Sequence, residues 1–450
     1  MSNLRKALSV GLAHLAYTVH SVDVFAQLKW LKETEKWTLE QRGQWQLARL
    51  NEILAFTWKN VPFYREFWSS HGCQWRPLGH TEELAAYPIL RKDVFRENWK
   101  KVRPTDISGI PHIAKHTGGS TGRPVHYLLD RQQWALMQAY QIWGWSLAGY
   151  TFGDPVGVLT GGSLMPAQIS LFERTRMFVE RRLFLFGVNM DRKLAREYHH
   201  RLEEFGAEFL YGYPSIIYVF SKFLKEEGLT LPRIRAVITT AEMLQPYYRT
   251  GIESALPCRV FDDYGCNDGG FESFECSRHC GMHYNEFQSI LSVEREGNTR
   301  SQGPLLVTNL WNRSTPFIRY ENGDRVILAA SRCPCGSMFP LIESVEGRTA
   351  DLLQFANGQT FVCPPHLFGN MEIDGWQVVQ TSPSKVEVRL AKAGGVDPNY
   401  QIRVVEIMRH HLDRAIEIEV KHVQQLSVTQ GGKLKPVWSE VNLKTGNALH

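Results

Sequence analysis

The chain has 450 residues, with 51 Lys and Arg against 46 Asp and Glu and a formal net charge of +5 at pH 7. That length allows one large core plus a smaller domain, and so small a charge argues against the concentrated basic face of a nucleic-acid-binding protein. The 43% hydrophobic and 22% charged content is ordinary for a globular protein, and no run approaches the roughly 18 apolar residues of a membrane span.

Residues 1–75 read as helical. The stretch Leu4–Tyr17 has a weak signal-peptide flavour, but His14 and His20 interrupt it and no small-x-small cleavage site follows. Leu12, Leu15 and Val19 have the spacing of an amphipathic helix packed on the domain, with contact to a membrane surface as the lesser reading. Residues 38–55 have helical periodicity with Thr38 placed to cap them.

From about 110 to 265, short apolar runs alternate with helical stretches. Residues 155–159 and 236–240 read as buried strands; 134–144 and 216–227 read as helices. This alternation predicts an α/β sheet domain. Residues 289–294, 305–308 and 326–329 read as further strands. After Asp351 a small α+β unit is expected, with strands at 385–390 and 417–422 and a helix at 400–411 between them.

The densest chemical signal is Lys115-His-Thr-Gly-Gly-Ser-Thr-Gly-Arg-Pro124, with three glycines and three hydroxyl side chains before a β-rich run. Glycines permit a tight turn, and successive free N–H groups can face phosphate oxygens. No Gly-Lys-Ser/Thr closes it, so it is not a Walker A loop. A plain turn has the same composition.

The cysteines matter through placement. Cys276, Cys280 and His283 lie near one another in sequence, as do Cys333 and Cys335. With no clean secretory signal, a reducing cytoplasm is expected, where clustered thiols point to metal rather than disulfides. Four such ligands suit structural Zn²⁺. The preferred set is Cys276, His283, Cys333 and Cys335, with Cys280 as an alternative to His283. Cys73, Cys258 and Cys363 read as small buried hydrophobes.

The order of motifs resembles the adenylate-forming enzymes, the acyl-CoA synthetase and ligase superfamily. The glycine-rich loop is similar to their phosphate loop. Tyr211-Gly-Tyr-Pro-Ser215 resembles their acyl-pocket segment and Thr239-Thr-Ala-Glu-Met243 their adenine-side loop. Tyr264-Gly-Cys-Asn-Asp268 resembles Tyr-Gly-x-x-Glu, and Ile318-Arg-Tyr-Glu-Asn-Gly-Asp324 resembles Arg-Tyr-x-x-Gly-Asp. Gly347-Arg-Thr-Ala-Asp351 resembles the hinge, and Gly431-Gly-Lys-Leu-Lys435 the C-terminal lysine loop. Asn60-Val-Pro-Phe-Tyr64 and Tyr87-Pro-Ile-Leu-Arg-Lys92 narrow the resemblance to phenylacetate–CoA ligase-like proteins, including their capsular-polysaccharide-biosynthesis branch.

The resemblance implies a large α/β N-terminal domain with mixed sheets, residues 1–350, and a small mobile α+β C-terminal domain, 351–450. It implies activation of a small-molecule carboxylic acid with ATP and Mg²⁺, then transfer to CoA, with a homodimer compatible. Thr117, Gly119, Ser120, Thr121 and Gly122 would hold phosphates, with Thr121 also catalytic; Ala241, Glu242 and Tyr264 would flank adenine. Asp324 would take the ribose hydroxyls, Arg319 or Arg348 the ribose or phosphates, and Asp268 the Mg²⁺, with Glu272 as a backup. Lys433 would stabilise charge on the carboxylate and α-phosphate, with Lys435 as its rival. Tyr211, Tyr213, Pro214, Trp143 and Trp145 are candidate linings of the acyl pocket. The sequence departs from the family at Gly118, Asp268 and Ala350. Two alternative activities stand beside CoA transfer: an adenylate-forming ligase with an amine or other acceptor, as in polysaccharide or cell-surface biosynthesis, and nucleotidyl transfer to a hydroxyl acid or cofactor without a thioester. The departures keep open a third reading, a zinc-stapled nucleotide-binding protein without turnover.

Overall fold

The computed structural model describes residues 10–13, 17, 23–117, 125–160, 171–187, 190–294, 301–348, 353–357, 359–361, 367–368, 371, 373, 375–392, 398–428 and 434–441. Among them, no helix is long and apolar enough to cross a membrane.

Near the N-terminus, three helices form: Val24–Thr34, Leu39–Asn60 and Pro62–Ser70. The middle one starts where its sequence says it should. Thr38 Oγ1 accepts from the Gln41 N–H at 3.2 Å, and Gln41 Oε1 accepts from the Thr38 N–H at 2.9 Å. This reciprocal pair satisfies two donors that the first turn would otherwise leave orphaned. The chain then forms a hairpin of β1 (His112–His116) and β2 (His126–Asp130), followed by the helix Arg131–Ser146.

The body is one large sheet. Its parallel half contains β3 (Val156–Thr160), β4 (Arg182–Phe186), β5 (Phe209–Gly212), β6 (Ala236–Thr240) and the start of β7 (Arg259–Cys266). Its antiparallel half adds β8 (Phe271–Glu275), β9 (Met282–Tyr284), β10 (Ser289–Val293), β11 (Gln302–Asn309), β12 (Tyr320–Leu328) and β13 (Leu341–Arg348). The spatial order is β10-β11-β12-β13-β9-β8-β7-β6-β5-β3-β4. Strands β3, β5 and β6 are buried at every residue, as parallel strands covered on both faces should be. Side chains alternate between two cores. Val156, Val158, Phe209, Tyr211 and Ile238 face the cluster that includes Trp134 and Trp145 of the helix Arg131–Ser146. Leu159, Leu210, Val237 and Val260 face the helices Arg192–Phe205, Pro214–Glu226 and Pro246–Ala255.

Two short strands, β14 (Leu353–Gln354) and β15 (Thr360–Phe361), precede a separate four-stranded sheet. That sheet holds β16 (Gly375–Ser382), β17 (Lys385–Ala391), β18 (Glu417–Val423) and β19 (Val437–Ser439) in the order β18-β17-β16-β19. The helix Pro398–Arg409 crosses between β17 and β18. Trp376, Val378, Val388, Leu390, Val404 and Met408 form its own core.

Candidate functional site

Open α/β sheets bind ligands beyond the carboxyl ends of their strands, where connections leave in opposite directions. Here that reversal falls between β3 and β5, since β3 is followed by β4 on one side and β5 leads to β6 on the other. Several predicted motifs end there or on the neighbouring strands.

The clearest convergence joins the segments around 264–268 and 320–324. Tyr264 OH donates to Asp324 Oδ2 at 2.9 Å, and Asn322 Nδ2 donates to the same oxygen at 2.9 Å. The Asp324 N–H bonds to Asn322 Oδ1 at 3.0 Å, and Gly323, with φ +89°, sits where the β11–β12 register shifts. A β-carbon there would be in a backbone region that L residues avoid. Asp324 Oδ2 therefore sits fixed beside the Tyr264 ring, with the β12–β13 ladder pairing Asp324 opposite Arg348.

Asp268 is buried next to this group. Its Oδ2 accepts from Tyr320 OH at 2.8 Å and pairs with Lys92 Nζ at 2.9 Å; Cys266 Sγ reaches Oδ1 at 3.2 Å. Lys92 Nζ also donates to the Asn322 carbonyl at 2.6 Å, so one ammonium links both motifs. Burial pulls the Lys92 pKa down, the Asp268 carboxylate pushes it up, and the balance lies above the ordinary lysine value. Sequence reasoning noted the 87–92 segment only as a family mark. The structure shows why it matters: the Leu90 N–H bonds to the Arg319 carbonyl and the Glu321 N–H to the Leu90 carbonyl, each at 3.0 Å, which ties the segment to β12.

Three expectations change. Arg319, read as a ribose or phosphate contact, donates instead to the carbonyls of Ala85 and Tyr87 from a backbone at φ +46°. Glu272, the backup for Mg²⁺, lies on β8, away from the turn that carries Asp268. Its Oε2 is shut off from solvent without a hydrogen-bond partner. Burial pushes its pKa up to about 8, and Arg182 only partly offsets this. A protonated carboxyl is a poor Mg²⁺ ligand, so Asp268 is the better candidate. Trp143, read as a pocket wall, is core: it stacks on Tyr140 at 4.9 Å and donates from Nε1 to Glu35 at 2.9 Å.

Tyr211 and Trp145 do meet, with ring centroids 4.8 Å apart. Tyr211 OH leans on Asp263 Oδ2 at 3.4 Å. Burial first, and then the nearby Glu272 charge, raise the Asp263 pKa well above the usual carboxylate range. The wall beside Tyr211 is thus polar as well as aromatic. Tyr213 and Pro214 are buried at the start of the helix Pro214–Glu226.

Of the glycine-rich loop, Gly119, Ser120, Thr121 and Gly122 lie outside the described residues. Its flanks close into a tight base: the Thr117 N–H bonds to the Val125 carbonyl at 3.0 Å, and Thr117 Oγ1 accepts the Val125 N–H at 3.1 Å. In the adenine-side loop, Ala241 takes φ +69°, a left-handed conformation that costs an alanine roughly 1 kcal/mol. Glu242 Oε2 accepts from Ser215 Oγ at 2.6 Å, and Glu242 Oε1 accepts from the Leu434 N–H at 2.6 Å. Lys433 itself, and Ala350 and Asp351 of the hinge motif, also lie outside the described residues. Lys435 is described; its carbonyl accepts from Gln377 Nε2 at 3.0 Å.

The thiol cluster forms some distance along the sheet. The ligand atoms of Cys276, His283, Cys333 and Cys335 all lie within 4.8 Å of one another. Cys276 and Cys333 sulfurs are 3.6 Å apart, and Cys335 Sγ is 3.3 Å from His283 Nε2. Sulfurs on a tetrahedral Zn²⁺ with bonds of about 2.3 Å would be about 3.8 Å apart, so the four residues fit that ion. His283 Nδ1 bonds to the Phe339 carbonyl at 3.0 Å, which leaves Nε2 facing the thiols. Burial lowers the His283 pKa and favours the neutral, ligating form. Cys280 is exposed and directs its thiol to the Arg278 carbonyl, so the alternative set is not the one assembled.

No protein-family model matches the chain. It is 22% identical over 432 residues to Protein CapK of Staphylococcus aureus, covering 93% of this chain and 92% of that one. It is 21% identical over 386 residues to the phenylacetate–coenzyme A ligase of Thermus thermophilus, covering 83% and 80%. The crystal structure of a 2-hydroxyisobutyryl-CoA ligase in its postadenylation state, with an acyl-AMP, matches with TM-score 0.71 at 20% identity over 89% of this chain and 90% of that one. The same ligase in its thioesterification state, with acyl-AMP and CoA, matches with TM-score 0.55 at 20% identity, again over 89% and 90%.

Proposed function

We propose, from the premise that this chain is an adenylate-forming enzyme of the phenylacetate–CoA ligase-like kind, that it activates a carboxylic acid with ATP and passes the acyl group to CoA. The observation that carries this reading is the convergence of Tyr264, Asp268, Asn322 and Asp324, from two separate motifs, into one group joined through Lys92. A match over 83% of this chain and 80% of a ligase named for that reaction supports it.

In the first step, a carboxylate oxygen attacks the α-phosphorus of ATP and the bond to pyrophosphate breaks. In the second, the CoA sulfur attacks the acyl carbon and AMP leaves. Asp324 accepts the ribose hydroxyls, and Tyr264 lies against the adenine. Mg²⁺ neutralises the phosphates when bound, with Asp268 as its protein ligand. Thr117 and the loop 118–124 hold the β- and γ-phosphates through N–H and hydroxyl donors, Arg348 contacts the ribose or a phosphate, and Lys433 meets the charge that develops at the reacting oxygens. The unit after residue 350 moves between the two steps. The acyl end lies towards Tyr211 and Trp145, so Asp263 and Glu272 favour an acid with its own hydrogen-bonding groups over a plain hydrocarbon chain. Cys276, His283, Cys333 and Cys335 hold a structural Zn²⁺ that staples β9 to the segment before β13. A reducing cytoplasm would keep those cysteines out of disulfides.

The test is acid-dependent pyrophosphate release across aryl, short-chain, hydroxy, amino and sugar acids, with and without CoA. Release with one class of acid, accelerated by CoA, is the expected result. Release accelerated by an amine but not by CoA would change the acceptor, and ATP binding without release on any acid would reject turnover.

A further inference from the structure

The junction between the adenine-side loop and the lysine segment carries an inference that rests on the two-step reading above. Glu242 has both carboxylate oxygens committed. Oε2 accepts from Ser215 Oγ at 2.6 Å and from the Ser215 N–H at 3.3 Å, which anchors it to the large unit. Oε1 accepts the Leu434 N–H at 2.6 Å, and Leu434 is the residue after Lys433. Such charge-assisted bonds are short and roughly twice as strong as neutral ones.

The receiving segment is rigid at its base. Val428 and Leu434 form an antiparallel bridge. Gln377, fully buried, clasps both sides of it: Nε2 donates to the carbonyls of Ser427 at 2.7 Å and Lys435 at 3.0 Å, and Oε1 accepts the Ser427 N–H at 2.9 Å. Leu434 also lines a small cleft together with Met243, Tyr247, Tyr248 and Trp376. A segment held this way fixes Leu434 against the adenine-side loop.

We propose that Glu242 is a positioning residue. It docks the base of the lysine-bearing segment on the large unit for the adenylation step, and breaking the Glu242–Leu434 bond frees the C-terminal unit for the transfer step. The better match to the postadenylation arrangement than to the thioesterification one agrees with a docked state.

Three readouts test this on the full chain: acid-dependent ATP–pyrophosphate exchange, acyl transfer to CoA from a supplied acyl-adenylate, and amide hydrogen exchange in the peptide 428–435. Glu242→Ala is expected to slow exchange about 10- to 100-fold, the range for a lost hydrogen bond to a charged group, and to slow transfer at saturating acyl-adenylate by a clearly smaller factor. Protection of the Leu434 amide should fall. Glu242→Gln keeps an acceptor oxygen and should restore most of the exchange rate and protection. Equal slowing of both steps, or unchanged Leu434 protection in Glu242→Ala, overturns the proposal. Absence of exchange in the wild type with every acid would reject acid activation alone, and the amide protection would still decide the docking.

Discussion

Removing the charge of Lys92 should expose what holds Asp268 in place. The substitution Lys92→Met keeps the apolar stem and deletes only the ammonium. At an effective dielectric of about 20, unit charges 2.9 Å apart attract by roughly 6 kcal/mol. Desolvation consumes much of this, and breaking a buried pair costs about 3–5 kcal/mol. The Lys92 side chain is 27% exposed and that of Asp268 only 7%, so water screens part of the pair and about 2 kcal/mol is the expected loss. Denaturant unfolding of the wild type, Lys92→Met, Asp268→Asn and the double variant gives the coupling directly. It should be about 1–3 kcal/mol. With Asp268 holding Mg²⁺ as proposed, Mg²⁺·ATP would bring a second cation to it, and the gap between the wild type and Lys92→Met should narrow when the nucleotide complex saturates. A coupling under about 0.5 kcal/mol, or a gap that widens with Mg²⁺·ATP, would refute the reasoning.

Lys433→Ala should slow pyrophosphate release by on the order of 10²-fold or more, the scale for one well-placed charge-stabilising group; an unchanged rate would transfer the role to Lys435. Cys335→Ser should lower bound zinc, measured by elemental analysis, and destabilise the fold, whereas Cys280→Ser should leave metal content unchanged. If wild-type protein purified without chelator carries no zinc, the staple is wrong. Glu272 offers a pH test. Its folded pKa, pushed up to about 8, lies above the unfolded value near 4.5, so the folded state binds more protons between those values. Stability should therefore fall as pH rises through that window, by up to about 1.4 kcal/mol per unit. Glu272→Gln should gain on the wild type between pH 5.5 and 8.5 in unfolding experiments, and a constant difference would mean that Glu272 is already ionised.

The local pattern made much of the fold legible. Residues 236–240 read as a buried strand and form β6; 385–390 and 417–422 match β17 and β18 within a residue. These stretches are apolar or alternating over their whole length, so propensity and burial agree. What the pattern hid was pairing. Nothing local says that β9, three residues long, joins the strands β10 to β13 to the rest of the sheet. The site followed the same division. Asp324 and Tyr264 were readable because each stands in a recognisable motif, although their contact was not. Lys92 escaped notice because its partner Asp268 lies far along the chain and a lysine after an arginine reads as an ordinary solvated charge. Arg319 misled for the opposite reason: a motif arginine looks functional, while its left-handed backbone turns it towards Ala85 and Tyr87.

The short strand β9 has a consequence for how the molecule comes apart. It touches β13 at only two register positions, Met282 with Ile342 and His283 with Leu341. That narrow weld joins the four-stranded antiparallel edge, β10 to β13, to the rest. His283 is both a rung of the weld and a member of the thiol cluster, so the cross-link would close the long loop between β9 and β13 before any strand in it has paired. Loop closure of that length is an entropic barrier that a bound ion lowers in advance. Oxidised or metal-stripped protein should then lose cooperativity first along this line, with the antiparallel edge peeling away as its own unfolding unit while the parallel half keeps its hydrogen-exchange protection.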